Sequence, residues 1–153
     1  MLKVTNLSDQ DKIEICNWKY EGEYAMYNFP SYEEMKKEQK IFFNPNLRSK
    51  YRTYRNEEGL VGFTNICEED TEVFMGIGVN PTLCNKGYGQ ELMKMAILQA
   101  NELYPNKPLY LEVRNWNKRA IHCYKKVGFE IDGDEIIQET YVGIGTFVRM
   151  IRK

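Results

Sequence analysis

Two short stretches of the chain carry residues whose types and spacing could do chemistry. The first is "VNPTLCNKGYGQEL", where Gly87 and Gly89 sit one residue apart after an apolar run. Glycines at a helix start let free backbone N–H groups approach an anion with no Cβ in the way, and the helix end carries partial positive charge. This turn is either a phosphate cradle or a tight packing turn. It is not the dinucleotide fingerprint, because Leu92 stands where the third glycine belongs and no acidic residue ends a following strand at the required distance. It is not a Walker loop, because no Lys-Ser or Lys-Thr follows Gly87. The second stretch is "LYLEVRNWNKRAIHCYKKVGFE", in which Tyr124 follows Glu112 by twelve residues. A carboxylate can accept a proton. A phenol, with an ordinary pKa of about 10, can donate one at neutral pH.

The elements that must hold these residues can be read from the same chain. "LKVTNL" predicts a first strand. "SDQDKIEICNWKY" and "SYEEMKKEQKIFF" predict helices, each opened by a serine cap. "YRTYRNEEGLVGFTNI" predicts two strands joined at Asn-Glu-Glu-Gly, and "EVFMGIGVNP" a further strand. A helix is expected from Gly87 to Leu103, with Leu92, Ala96, Ala100 and Leu103 on one face and Met95 beside them. "LYLEVRN" reads as an apolar central strand. "NKRAIHCYKKV" follows as a helix capped by Asn117, with Gly128 at its C′ position. "FEIDG" and "YVGIGTFVRMI" close the chain as two antiparallel strands. The order predicts an α/β (α+β) fold over residues 1–153: a single domain with a mixed twisted sheet of about six to seven strands and about four helices.

Glu112 alternates with Leu111 and Val113, so it faces the opposite side of the sheet from them. There it is either a proton acceptor or the partner of a basic residue on the sheet face. Glu72, early in the preceding strand, is the second candidate base. Ala120 and Tyr124 share a helix face, four residues apart. Tyr124 is either a proton donor or a half-buried aromatic. Gly76 and Gly78 share one face of their strand, which marks a bulge or the close approach of a ligand.

These two stretches together resemble motifs A and B of the GNAT N-acetyltransferase family. Motif A, Arg/Gln-x-x-Gly-x-Gly/Ala after Val-x-Pro, is matched by Cys84, Asn85, Lys86, Gly87, Tyr88 and Gly89, with Cys84 at the usual Arg/Gln position. Motif B is matched by Asn117, Ala120, Tyr124, Lys126 or its neighbour Lys125, Gly128 and Phe129. The strong resemblance spans about residues 60 to 130, and the pairing of Glu112 with Tyr124 is similar to that of the ribosomal-protein N-terminal alanine acetyltransferases. The resemblance implies acetyl-CoA as cosubstrate, wedged between strands 72–79 and 108–114. Its pyrophosphate would lie on the backbone of residues 84–90, Cys84 through Gln90. Its pantetheine would lie along Ile77, Gly78 and Val79, with Asn117, Ala120 and Tyr124 beside it. It implies Tyr124 as general acid, Glu112 as base, and direct transfer to a primary amine of a small molecule or peptide. Cys84 in place of Arg or Gln implies an altered grip on the cofactor. An acyl-CoA-binding or sensing module with little activity is the alternative, and a nucleotide-binding protein a third reading.

An amine acceptor needs a base, since a lysine-like amine has a pKa of about 10.4 and an α-amino group about 8. Trp18, Tyr24, Tyr27 and Phe29, in a stretch that also holds Tyr20, Tyr32, Glu21 and Glu23, are candidates for the acceptor wall. Aromatics with carboxylates suit a cation, but the same aromatics are ordinary core. His122 and Cys123 diverge by roughly a hundred degrees on their helix, so they do not form a nucleophile pair. Cys16, Cys67, Cys84 and Cys123 are scattered and, with one histidine, give no metal spacing. Twenty-one basic and twenty-two acidic side chains nearly cancel, so neither nucleic acid nor a membrane surface is expected as partner. No secretory signal or membrane span is read, so the expected setting is cytoplasmic, as a monomer or homodimer.

Overall fold

In a computed structural model describing residues 2–44, 50–84, 86–140 and 142–153, one mixed sheet is covered on both faces. The elements are β1 (Lys3–Asn6), α1 (Asp9–Cys16), α2 (Tyr32–Lys37), β2 (Lys50–Asn56), β3 (Gly59–Glu68), β4 (Val73–Val79), α3 (Tyr88–Leu103), β5 (Leu109–Arg114), α4 (Lys118–Lys126), β6 (Glu130–Ile131), β7 (Ile136–Thr140) and β8 (Gly143–Arg152). Short 3₁₀ turns lie at Gly22–Tyr27, Ile41–Phe43 and Pro81–Leu83. The strand order is β1-β2-β3-β4-β5-β8-β6, with β7 paired to β8. Among the described residues only β4 and β5 run parallel; the other pairings are antiparallel.

Two expectations need correction. The first two helices are shorter than their polar patterns suggested. α1 has a capping box between Ser8 and Asp11 but stops at Cys16, and α2 stops at Lys37. α1 is closed at Asn17, whose N–H bonds back to the Glu14 and Ile15 carbonyls, and α2 by the positive φ of Gln39 just after its cap. The sheet also has eight strands, because "IIQET" forms β7 and pairs with the first half of β8.

The buried stripe of α3 is Leu92, Met93, Ala96, Ile97 and Ala100, while Leu103 at the helix end is 37% exposed. That stripe packs on one sheet face against Ile66, Val73, Met75, Leu109, Leu111 and Val113. The other face carries a second core of Ile15, Cys16, Trp18, Met35, Phe42, Leu60 and Phe63. A β-bulge lets β3 serve both cores. Tyr54 pairs with Gly62 and Arg55 with Leu60, which leaves Val61 as the extra residue. The bulge shifts the alternation, so Val61 and Ile66 face α3 while Leu60 and Phe63 face α1 and α2.

Gly78, like Gly76, reads from the sequence as a bulge or a ligand contact, and the unbroken register of β4 with β3 removes the bulge. The glycine is needed for packing. A Cβ at Gly78 would lie 2.3 Å from Cε1 of the Phe63 ring. Phe63 is buried and ringed by Trp18, Phe29 and Phe42, so it cannot step aside. Gly78→Ala is expected to destabilise the fold by about 1–3 kcal/mol through overpacking. Thermal denaturation should show a lowered midpoint, and an unchanged one would mean that Phe63 relocates freely.

Candidate active site

A cavity of about 520 Å³ opens where β4 and β5 part. The two strands pair only through Val73 with Leu109 and Phe74 with Tyr110. No pairing between them follows, so from Met75 onward β4 presents backbone groups to the cavity rather than to β5. Ile77, Gly78 and Val79 all line it. One of these groups is already engaged: the Tyr20 hydroxyl donates to the Val79 carbonyl at 2.6 Å.

At one end of the cavity the chain enters α3 through the glycine turn. Gly87 caps the helix in the left-handed region, φ 82°, and offers no side-chain bond to the first-turn N–H groups. Those donors are left for a ligand. Cys84, Gly87, Gly89 and Gln90 line the cavity. Lys86 and Tyr88 turn their side chains to Glu58, at 4.0 and 3.3 Å, so they can serve a ligand here only through their backbone. Asn85 lies outside the described residues. Burial pushes the Cys84 thiol up and the Arg119 guanidinium draws it partly back. Cys123 is likewise raised by burial, against a smaller opposing pull from Lys126. Both thiols therefore stay protonated at neutral pH, which makes them poor nucleophiles.

On β5, Leu111 and Val113 are buried in the α3 core, and Glu112 lines the cavity. Its Oε2 accepts a hydrogen bond from Gln138 Nε2 at 2.9 Å. That partner comes from β7, the strand missing from the sequence reading. No ion pair ties Glu112 among the described residues, whereas Glu72 is held by Arg149 at 2.5 Å. Arg149 is also bound to Asp132, so Glu72 is committed to a structural cluster and is not a free base. Tyr124 lines the cavity from α4 and packs its ring against Phe129 at 6.3 Å between centroids. Its hydroxyl has no hydrogen-bond partner among the described residues. Burial first, then the neighbouring Cys123, Tyr27 and Tyr20, push the phenol well above its ordinary range. Tyr124 is thus a fully protonated donor with its proton uncommitted.

Asn117 does two local jobs. Its Oδ1 caps α4 through the Ala120 N–H at 3.2 Å, and its Nδ2 donates to the Tyr27 hydroxyl at 3.0 Å. Ala120, next on the same helix, lines the cavity. The loop that carries Tyr27 closes on itself: the Tyr20 N–H donates to Asn28 Oδ1 at 2.6 Å. Tyr24 and Tyr27 rest on Trp116, with centroids 5.5 and 5.8 Å away, and the Arg119 guanidinium lies 4.2 Å from the Tyr24 ring. The four expected wall residues therefore divide. Tyr24 and Tyr27 form a wall with Trp116. Trp18 and Phe29 line the cavity but belong to the second core. Sequence reasoning missed Trp116, Gln138, Arg114 and Arg119. Trp116, Arg114 and Arg119 lie inside the motif already singled out, and the alternation in "IIQET" was the available signal for Gln138.

The cavity thus brings together an unpaired strand edge, a helix start with free N–H groups, and a phenol that has no hydrogen-bond partner among the described residues. Known proteins identify the family. The Acetyltransferase (GNAT) family model matches residues 12–129. An N-alpha-acetyltransferase of Sulfurisphaera tokodaii is 30% identical over 110 residues, 67% of this chain and 66% of that protein. A mycothiol acetyltransferase of Propionibacterium freudenreichii is 35% identical over 89 residues, 54% of this chain but 28% of that protein. The chain thus spans less than two thirds of either relative. Among solved structures, a spermidine N-acetyltransferase chimera of Vibrio cholerae SpeG and hSSAT superposes with a TM-score of 0.79 at 20% identity, covering 99% of this chain and 94% of that one. The ribosomal-protein-S18-alanine N-acetyltransferase of Escherichia coli gives 0.68 at 19%, covering 99% and 93%. No helix among the described residues is long and apolar enough to cross a membrane. Fold, site and family match lead to one conclusion: the chain belongs to the GNAT acetyltransferase family.

Proposed function

We propose that this protein is an acetyl-CoA-dependent N-acetyltransferase that transfers directly to a primary amine in a ternary complex. One observation carries this reading: a single cavity joins the glycine turn, the unpaired edge of β4, Glu112 and Tyr124. Bound acetyl-CoA would supply the activated acetyl thioester. The first turn of α3 would hold its phosphates, and the β4 backbone from Ile77 to Val79 its pantetheine amides, with Tyr20 either retained or displaced at Val79. Glu112 accepts the proton that the acceptor ammonium must lose, and Gln138 keeps that carboxylate oriented. Tyr124 gives its proton to the departing sulfur. The phenol is a weak acid here, but the desolvation that raises it also raises the proton affinity of a departing thiolate, so donation remains feasible. The raised thiols of Cys84 and Cys123 argue against an acyl-cysteine route.

Cys84 leaves the turn without the cation that the family usually places there. Arg119 lines the same cavity from α4, stacked on Tyr24, and its charge is felt at the Cys84 thiol. Arg119→Ala is therefore expected to weaken acetyl-CoA binding about three- to tenfold at low salt, with the difference shrinking as salt rises. Cys84→Gln should tighten binding less than Arg119→Ala loosens it. Titration calorimetry with acetyl-CoA reads both, and equal affinity in all three proteins would remove Arg119 from the phosphate end.

Release of CoA over a panel of alkylamines, polyamines, aminoglycosides and N-terminal peptides tests the function as a whole. Turnover of any of them supports it. Tight acetyl-CoA binding without turnover on the full panel would instead identify a binding or sensing module. Stabilisation by ATP or NAD but not by CoA would identify a nucleotide site.

A further inference from the structure

We infer that the acceptor amine carries a carboxylate near its nitrogen, and that Arg114 is its seat. This inference rests on the amine-acetylating reading above and adds the class of acceptor.

Glu112 and Arg114 are two apart on β5, so they lie on one face of the strand, with Cα atoms about 6.6 Å apart by strand geometry. Both line the cavity. Arg114 is 7% exposed, and no carboxylate among the described residues pairs with it. Its protein contacts are few for a group with five N–H donors. Nη2 donates to Thr140 Oγ1 at 3.3 Å, and the guanidinium carbon stands 4.8 Å from the centre of the Phe147 ring. Of the half-buried arginines, Arg149 is clamped by Glu72 and Asp132 and Arg55 is paired with Asp11, while Arg52 and Arg152 donate to the Tyr51 and Val127 carbonyls; among the arginines of the described residues, Arg114 alone is buried.

A desolvated cation without a counter-ion is costly, so a fold that keeps one has a use for it. Gly145 leaves the space beside it that Arg114 Nη1 occupies, and a Cβ there would make the guanidinium move. The phosphates of an acyl-CoA cannot serve as the counter-ion, because the donors for them are at the α3 turn. Arg114 instead lines the cavity from the β7–β8 side, bonded to Thr140 and stacked on Phe147, and its charge joins the Asn117 hydrogen bond in partly offsetting the burial that raises the Tyr27 phenol. Glu112 and Arg114 together offer one acceptor and one fork of donors on the same strand face. That arrangement complements a molecule with an ammonium and a carboxylate a few bonds apart, such as an amino acid. It opposes a polyamine, whose second ammonium would meet a guanidinium.

The experiment compares kcat/KM for glycine and β-alanine, their amides, n-propylamine and spermidine, with acetyl-CoA, in the wild type, Arg114→Gln and Arg114→Lys. The acids are expected to exceed their amides by about tenfold or more in the wild type. That ratio should fall to near one in Arg114→Gln and recover in part in Arg114→Lys. Acids and amides used equally, or spermidine preferred, would overturn the inference while leaving the acetyltransferase reading in place. Absence of acetyl-CoA binding would overturn that reading instead. In that case, binding of β-alanine to wild type but not to Arg114→Gln, read by calorimetry, still decides the seat, and equal binding or none overturns it. Should Arg114→Gln not fold, the acid-to-amide ratio of the wild type decides alone.

Discussion

Tyr124→Phe is expected to lower kcat by about 10²- to 10⁴-fold, with acetyl-CoA affinity nearly unchanged. The substitution deletes one oxygen and keeps the ring that packs on Phe129. That oxygen makes no hydrogen bond to the described residues, so its loss strands no buried partner and the fold should hold. The phenol's proton affinity is raised by burial and by three polar neighbours. Tyr124 therefore stays protonated through the alkaline range in which an amine acceptor becomes a free base. Loss of Tyr124 should consequently depress the rate across the whole pH profile and not bend one limb of it. Steady-state kinetics with calorimetry separates the two effects. A variant with wild-type kcat would show that the thiolate leaves without this donor, and a variant with equally weakened acetyl-CoA binding would assign the hydroxyl to cofactor positioning.

How much of this site the chain disclosed depends on how local each feature is. The glycine turn, the Asn117 cap and the Glu112–Tyr124 spacing are set by a few neighbouring residues, so they could be read directly. The Asn56 to Gly59 turn is equally local: Asn56 Oδ1 accepts from the Glu58 N–H at 2.8 Å, and Gly59 takes a φ of 107°. What escaped depends on contacts distant in sequence. The packing demand at Gly78 was hidden because nothing near it in the chain reveals that Phe63, fifteen residues earlier, lies across it. Glu72 looked like a free carboxylate because its partner is seventy-seven residues away at Arg149. β7 is a polar, partly exposed edge strand whose pattern is weak, and with it went the Gln138 bond to Glu112. The aromatic segment looked uniform, yet the fold sorts it. Trp18 and Phe29 meet Phe63 in the second core, while Tyr24 and Tyr27 meet Trp116 at the cavity. Composition could not make that division.

Glu112→Gln tests the other half of the chemistry and should leave a distinct signature. The amide keeps the size of the carboxylate and can turn its oxygen toward Gln138, so the 2.9 Å contact is retained and packing is undisturbed. What is lost is the ability to take a proton. At neutral pH a lysine-like acceptor, with a pKa of about 10.4, is almost wholly protonated, so the variant must wait for the rare free amine. A loss of roughly 10²- to 10⁴-fold at pH 7 is expected. Each unit of added pH should then recover about tenfold, until the acceptor's own pKa is reached. The wild type should instead gain little in that range, because its carboxylate takes the proton within the complex. The two profiles therefore converge at high pH, and a positioning role for Glu112 predicts a constant gap between them. A constant gap would assign the proton to a chain of waters instead of to Glu112. Glu72 could not take that role without leaving Arg149, and Glu72→Gln should therefore lower stability before it lowers the rate.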